Sequence, residues 1–295
     1  MDIDMSPGKC TIMLLKKGSP VFRWSFDSFA IERPLEMFNH RFNNVGFFSQ
    51  RTPELYFVRS VATQPDQIVS AVISHVAKTF TSFSIRNVQL QVADTKEFRQ
   101  TLSLIGKCET FNFDHRHSNR RQIPKNQLKF LLENIKATRN FKLSGRCNKY
   151  FRHNWRPNCE YVSVMDSEWI TGPNFLNMKF ARIHLKWSSL REKEMIRFIR
   201  LWMSSNDTRL RSMEIHTGQP MKLRKFREAL PIMPRDFHRR RQWYRLVLGT
   251  YVDCIIGLDI ERHDGLLATI VVHEQNFYFF VWHDWFPVEI SGREV

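Results

Sequence analysis

Residues 65–85 read PDQIVSAVISHVAKTFTSFSI, and this stretch contains one complete helix-then-strand unit. Ile68, Val69, Val72, Ile73, Val76, Ala77 and Phe80 recur at the three- and four-residue spacings of a single helical stripe. Pro65 suits the first helical turn, where no intrahelical partner awaits its missing N–H. Phe83-Ser84-Ile85 then alternates apolar, polar, apolar, the period of a strand. The theme returns downstream. Residues 94–105 place Phe98, Leu102 and Ile105 on a helical face before the strand-like Phe111-Asn112-Phe113. Pro124 then opens a helix with Leu128, Leu131, Leu132 and Ile135, which leads into Phe141-Lys142-Leu143.

Tyr161–Val164, Ile183–Leu185 and Met213–Ile215 read as further strands, with an amphipathic helix over 190–203 before the last. Ser189 and Glu192 have the spacing of a capping box for that helix. The final apolar residues of the six strands (Ile85, Phe113, Leu143, Val164, Leu185 and Ile215) are 28, 30, 21, 21 and 30 residues apart. Those intervals lie near the roughly 20–29-residue period of leucine-rich-type repeats. A unit of that length cannot cover its own apolar face, so copies must stack. The expectation is an α/β, leucine-rich-repeat-like solenoid over residues 61–245, with a doubly wound α/β sheet as the alternative.

Beyond residue 245 the pattern turns to strands. Tyr251–Glu261, Leu266–His273 and Asn276–His283 are rich in Ile, Val, Phe and Tyr, and Asp264-Gly265 is a hairpin-turn pair. Residues 246–295 are therefore expected to close the solenoid as an antiparallel β meander continuous with it. The first 60 residues are less patterned, with strands at Thr11–Leu15 and Val21–Phe26 and a helix at Phe29–Phe42.

Composition narrows the classes of function. The chain has 295 residues, 42% hydrophobic and 13% aromatic, too much apolar surface for a disordered chain. Its 45 Lys+Arg against 29 Asp+Glu give +16, which favours anionic partners. Five widely spaced cysteines without a Cys-x-x-Cys pair read as reduced, buried thiols. Ile12–Leu15 is too short for a secretory core, and no apolar run reaches the roughly 18 residues of a membrane helix. An intracellular protein, cytoplasmic or nuclear, is expected.

No nucleophile elbow, phosphate loop, zinc-protease or kinase signature occurs. His263-Asp264 and His283-Asp284 pair acid and base types, but neighbours on a strand point to opposite faces. Cys147, His153 and Cys159, with Cys108, His115 or His117, lack the close spacing of a zinc site. Neither catalysis nor a metal or other cofactor is expected. The basic segment 222–245 remains as a candidate polyanion contact, through Lys222, Arg224, Lys225, Arg239, Arg240, Arg241 and Arg245, with Phe237, Trp243 and Tyr244 interleaved for stacking. The simpler reading is a solvated connector. The aromatic residues Trp282, Trp285 and Phe277–Phe280 read as packing.

Two stretches carry a family resemblance. Phe198-Ile199-Arg200-Leu201-Trp202-Met203, then Asn206, Arg209-Leu210 and a strand ending at Ile215, resemble the helix–strand signature of the nematode F-box-associated type 2 domain. Gly257–Gly265, Ala268-Thr269-Ile270 and Val281-Trp282 are similar to that family's terminal hairpin and closing strand. The likeness extends over roughly residues 20–285. It implies a protein-recognition module that holds a ubiquitin-ligase substrate. It also implies structural roles for Trp202 as helix anchor, Asp264 and Gly265 as the turn, and Trp282 as strand packing. An F-box, which opens with a Leu-Pro pair and docks a Skp1-type adaptor and cullin, is not found in residues 1–60. Adaptor binding is then expected only through an equivalent. The partner itself is expected on outward strand positions such as Ser84, Asn112, Lys142 and Ser163.

Overall fold

The computed structural model describes residues 1–6, 9–16, 19–27, 38–42, 45–51, 57–62, 65–79, 84–91, 96–115, 122–236, 238–247 and 249–283. The chain divides into two compact units, Met1–Cys159 and Glu160–Val295.

In the first unit the elements are β1 (Asp2–Ser6), β2 (Lys9–Lys16), β3 (Ser19–Asp27), β4 (Phe38–Phe42), β5 (Val45–Arg51), β6 (Phe57–Ala62) and α1 (Pro65–Thr79). They continue as β7 (Asn87–Leu90), α2 (Lys96–Ile105), β8 (Lys107–Asp114), α3 (Lys125–Asn134) and β9 (Lys136–Ser144). The sheet order is β9-β8-β7-β1-β2-β3-β6-β5-β4. Strands β7, β8 and β9 run parallel, each separated from the next by a helix, and β1 adds parallel to β7. The antiparallel portions are β1–β2–β3 and β4–β5–β6. Alternation builds the core. Ile3, Ile12, Val88, Leu90, Phe111, Phe113, Phe141 and Leu143 point to the side where Val72, Ile73, Leu102, Ile105, Leu128 and Leu131 arrive from the helices, and all are buried.

Two local expectations change here. The helix expected at Phe29–Phe42 is, over its described part, strand β4, which pairs with β5 from Phe38↔Ser49 to Phe42↔Val45. Strand pairing overrides the aromatic helical pattern, and residues 28–37 lie outside the described residues. Of the strand expected at Phe83–Ile85, Phe83 lies outside the described residues and Ser84 and Ile85 are not in a strand; the next strand is Asn87–Leu90, where Val88 and Leu90 alternate with two polar residues.

The second unit holds most of β10 (Asn158–Val164), then α4 (Gly172–Leu176), β11 (Lys179–Ser188), α5 (Glu192–Met203), β12 (Ser212–Thr217) and α6 (Leu223–Ala229). It ends in β13 (Trp243–Arg245), β14 (Tyr251–Asp253), β15 (Leu258–Glu261), β16 (Leu267–His273) and β17 (Asn276–Trp282). The order is β15-β16-β17-β12-β11-β10. Helix α5 starts two residues later than the capping-box spacing suggests. The Arg191 N–H donates to Glu194 Oε2 at 2.9 Å, and the Ser189 hydroxyl donates to Glu168 O. Glu192 is freed for another use, accepting from the Lys222 N–H and the Lys225 ammonium, both at 3.2 Å.

The mixed α/β character holds, with parallel and antiparallel portions. Closure by the meander does not. Strand β17 pairs antiparallel with β12, and β15 lies at the sheet's outer edge, carrying on its free side an isolated bridge to Met233. The meander extends an open sheet. The single strand expected over Tyr251–Glu261 is also broken, at a turn from Cys254 to Gly257. A Cβ on Gly257 would lie 2.5 Å from Thr269 Cγ2, so only glycine fits where the turn rejoins the sheet.

Candidate functional site

The side of the first sheet away from its helices is polar and, among the described residues of the first unit, bare of helices, with Arg23 and Asp4 exposed, Ser25 buried and the rest between. Register aligns it in two transverse rows. One runs Arg23, Met13, Asp2, Asn87, Thr110, Asn140; the other runs Ser25, Thr11, Asp4, Gln89, Asn112, Lys142. Each crosses six strands, and at about 4.8 Å per strand that is roughly 24 Å, the reach of about seven extended residues. All but Asn140 line a trough of about 760 Å³.

Neighbours within the rows brace one another. Thr11 Oγ1 and Ser25 Oγ are 3.0 Å apart, and Asn140 Nδ2 donates to Thr110 Oγ1 at 3.1 Å. The Asp2 carboxylate accepts from the Arg86 guanidinium at 3.0 Å and from the Asn87 N–H at 3.3 Å. Cations stand at opposite ends, in Arg23 and Lys142, with the acidic Asp2 and Asp4 near the middle. Asn and Asp are poor strand formers, so strand formation gives no reason for their presence at these positions. The surface offers amides, hydroxyls and carboxylates for hydrogen bonding.

Of the outward strand positions expected to face a partner, Asn112 and Lys142 sit side by side in the second row. Ser84 is exposed but precedes β7, and its carbonyl accepts from the Met1 ammonium at 2.8 Å. Ser163 lies in the second unit and is buried. The alternation that located Asn112 could also have found Gln89 and Asn87, had the strand at 87–90 been recognised.

The basic segment 222–245 disperses. Arg240 and Asp259 are a fully buried pair, Nε to Oδ2 at 2.8 Å. Asp259 also accepts the Thr269 hydroxyl at 2.7 Å, and Thr269 in turn accepts the Trp282 indole N–H at 2.9 Å. Arg239 forks onto Glu261 and reaches Gly265 O at 2.8 Å. Lys225 pairs with Glu192, and Arg224 with Glu228 one helical turn on. Lys222, Arg241 and Arg245 are exposed. The segment thus packs on the meander: Tyr244 stacks on Phe280 at 4.0 Å and meets Trp282 edge-on, beside the buried Cys254, Leu267 and Val271.

Trp202, at the end of α5, packs edge-on against Phe279 and lies under the Arg262 guanidinium, 5.2 Å from the ring centroid. Arg262 grips Asp264 and donates to Asp207 O at 2.9 Å, binding the hairpin turn to the loop after α5. That hydrogen-bonded grip holds the Asp264 carboxyl well below the ordinary carboxylate range. Gly265 closes the turn at φ +85°, donating to Arg262 O.

The two histidines of the acid–base pairs read from sequence are engaged locally. His263 lies 3.2 Å from both Met203 O and Asn206 Oδ1, and His283 lies 2.6 Å from Leu210 O. Among the described residues no group of three or more His, Cys, Asp or Glu could hold a metal ion. His117, Asp284, Trp285 and Phe237 lie outside the described residues. Burial pushes the Cys108 and Cys254 thiols up to about 12. Among the described residues no helix is long and apolar enough to cross a membrane.

Comparison with known proteins bears on this architecture at two points. The F-box associated family model matches residues 150–215, which include α5, the Trp202 anchor and β12 as far as Ile215. The likeness read from Phe198–Met203 to that nematode family therefore holds over this segment. A Caenorhabditis elegans protein described as uncharacterized is 24% identical over 136 residues, 43% of this chain. The aligned part is 32% of that relative's own length. No solved structure matches.

Proposed function

We propose that this chain is a protein-recognition module of the F-box-associated kind, a substrate-binding domain without catalytic activity of its own. The observation that carries the reading is the bare face of the first sheet, where two aligned rows of hydrogen-bonding side chains cross six strands. The family match at 150–215 supports it. In this reading the parallel strand–helix units from β7 to β9 act as stacked, solenoid-like repeats, and an extended segment of a partner protein lies along their outward residues. A Skp1-type adaptor and cullin join through an F-box equivalent in this protein or a companion. The competing reading, polyanion binding through 222–245, is left with few cations, since Arg224, Lys225, Arg239 and Arg240 face carboxylates.

Affinity purification of the intact chain from its native cells, with and without nuclease, tests the proposal. Protein partners should survive nuclease and be lost from a Gln89→Arg/Asn112→Arg double variant. Partners that vanish with nuclease, or that ignore the double variant, would overturn it.

A further inference from the structure

Among the described residues of the second unit seven large apolar side chains are exposed, and five of them, Trp243, Val247, Tyr251, Ile255 and Ile256, fall in 14 consecutive residues, with Trp187 and Leu201 elsewhere. Cross-strand register explains their direction. Tyr244 and Val252 are paired and turn inward onto the core around Phe280 and Trp282. Trp243, Arg245 and Tyr251 therefore share the opposite face, with Trp243 51% and Tyr251 59% exposed. The Cys254 N–H donates to Gln242 O at 2.7 Å, extending this pairing one step into the Cys254–Gly257 turn.

That turn places isoleucine at both central positions, where glycine, proline, asparagine or aspartate is usual. Ile255 and Ile256 are 47% and 65% exposed. They are not on a loose loop. The Gly257 N–H closes on Cys254 O at 3.0 Å, and Asp253 Oδ1 accepts the Ile255 N–H at 2.8 Å. The Arg235 guanidinium donates to Ile255 O at 3.2 Å. Two β-branched side chains are thus presented to solvent from a turn whose backbone is hydrogen-bonded on both sides. Such preordered apolar residues make interface anchors, because little side-chain entropy remains to be lost on docking.

We infer that the outward face of the β13–β14 hairpin and its adjoining turn is a docking surface for an acidic segment of a protein partner. That segment would seat apolar side chains on Trp243, Tyr251, Ile255 and Ile256, with its carboxylates near Arg245. Charge complementarity selects the occupant. Arg245 is exposed in register with Tyr251, and the chain carries +16. The local carboxylate, Asp253, is engaged by the Ile255 N–H and, at 3.4 Å, by the Gln242 amide. Aliphatic anchors favour protein over single-stranded nucleic acid, whose bases stack on aromatic rings.

The test pans a random-peptide phage library on the intact chain, then measures the enriched peptides by fluorescence anisotropy. Sequences that mix Leu, Ile or Phe with Asp and Glu should be enriched. Their affinity should fall roughly tenfold or more in Ile255→Ser/Ile256→Ser and in Arg245→Glu, and should not change in Lys129→Glu, on the exposed side of α3. Near-UV circular dichroism and urea midpoints verify that each variant is folded. Enrichment without acidic residues, or equal binding by the isoleucine variant, overturns the inference. So does oligouridylate RNA that binds the intact chain and is lost in the same variants. Peptides lost only in Asn112→Arg would refute this surface and leave the bare sheet face standing.

Discussion

Removing one partner of the Arg240–Asp259 pair should destabilise the second unit far more than removing both. The two side chains are fully buried and 2.8 Å apart, and the carboxylate's other oxygen accepts the Thr269 hydroxyl. Asp259→Ala leaves a guanidinium in the dry core with the Arg241 carbonyl at 3.3 Å. Its Nη2 has no partner among the described residues. An uncompensated buried charge of this kind costs about 3–5 kcal/mol. Arg240→Met strands the carboxylate instead, at similar cost. In Arg240→Met/Asp259→Leu both charges are gone, and the residual cost falls to about 1–2 kcal/mol, chiefly the unmet Thr269 hydroxyl. Since a domain's net stability is only about 5–15 kcal/mol, each single variant removes a large share of it. Urea unfolding followed by tryptophan fluorescence measures this as a drop in midpoint at constant slope. Single-variant losses below about 1 kcal/mol, as for an exposed pair, would refute the reasoning. So would a double variant as costly as the two singles added.

Three further outcomes follow from particular residues. His184 is buried on β11 with Glu214 at 3.6 Å; burial first, then the charges of Lys186 and His216, hold its pKa down to about 4 against the usual 6.5. The unfolded chain takes up that proton first as pH falls, so stability declines between pH 6.5 and 4, by up to about 3 kcal/mol. Burial raises the Glu214 carboxyl, whose contribution is largest at low pH and offsets part of the decline. A His184→Gln variant should flatten the urea-midpoint profile over that window, and an unchanged profile would count against the assignment. Gly257→Ala should cost about 1–3 kcal/mol, because its methyl group would sit 2.5 Å from Thr269 Cγ2 and 3.1 Å from two carbonyl oxygens. A neutral effect in thermal melts would show that the turn yields. Cys108 and Cys254, with pKa values of about 12, should resist alkylation at pH 8 in the folded chain and react after urea is added.

The parts of the fold that sequence could give are those with a long, unbroken period. Helices α1, α2 and α3 and the strands around Phe111–Phe113 and Phe141–Leu143 are found where the stripes predict them, because each buries one continuous apolar face. Short elements with mixed signals were misplaced. Asn87 and Gln89 hid β7, so that the strand is expected at Phe83–Ile85 instead, yet their polarity belongs to the bare face. Strand β4 looked helical because aromatic spacing does not carry information about a pairing partner. The turn at Cys254–Gly257 was hidden by Ile255 and Ile256, which locally favour a strand and are held outward by Asp253 and Arg235. The candidate site was half legible: alternation identified Asn112 and Lys142, but the rows they join exist only through register with Asp4 and Gln89. The arginine run looked like one charged patch because sequence alone does not reveal that Asp259 and Glu261 lie opposite it.

The most direct test of partner binding on the bare face is site-specific photocrosslinking in native cells. A benzoylphenylalanine replaces Gln89 or Asn112, and Lys129, exposed on α3, serves as control. Discrete crosslinked protein bands are expected from positions 89 and 112, persisting after nuclease, with none from position 129. Equal crosslinking from all three positions, or bands from 129 alone, would contradict partner binding on that face.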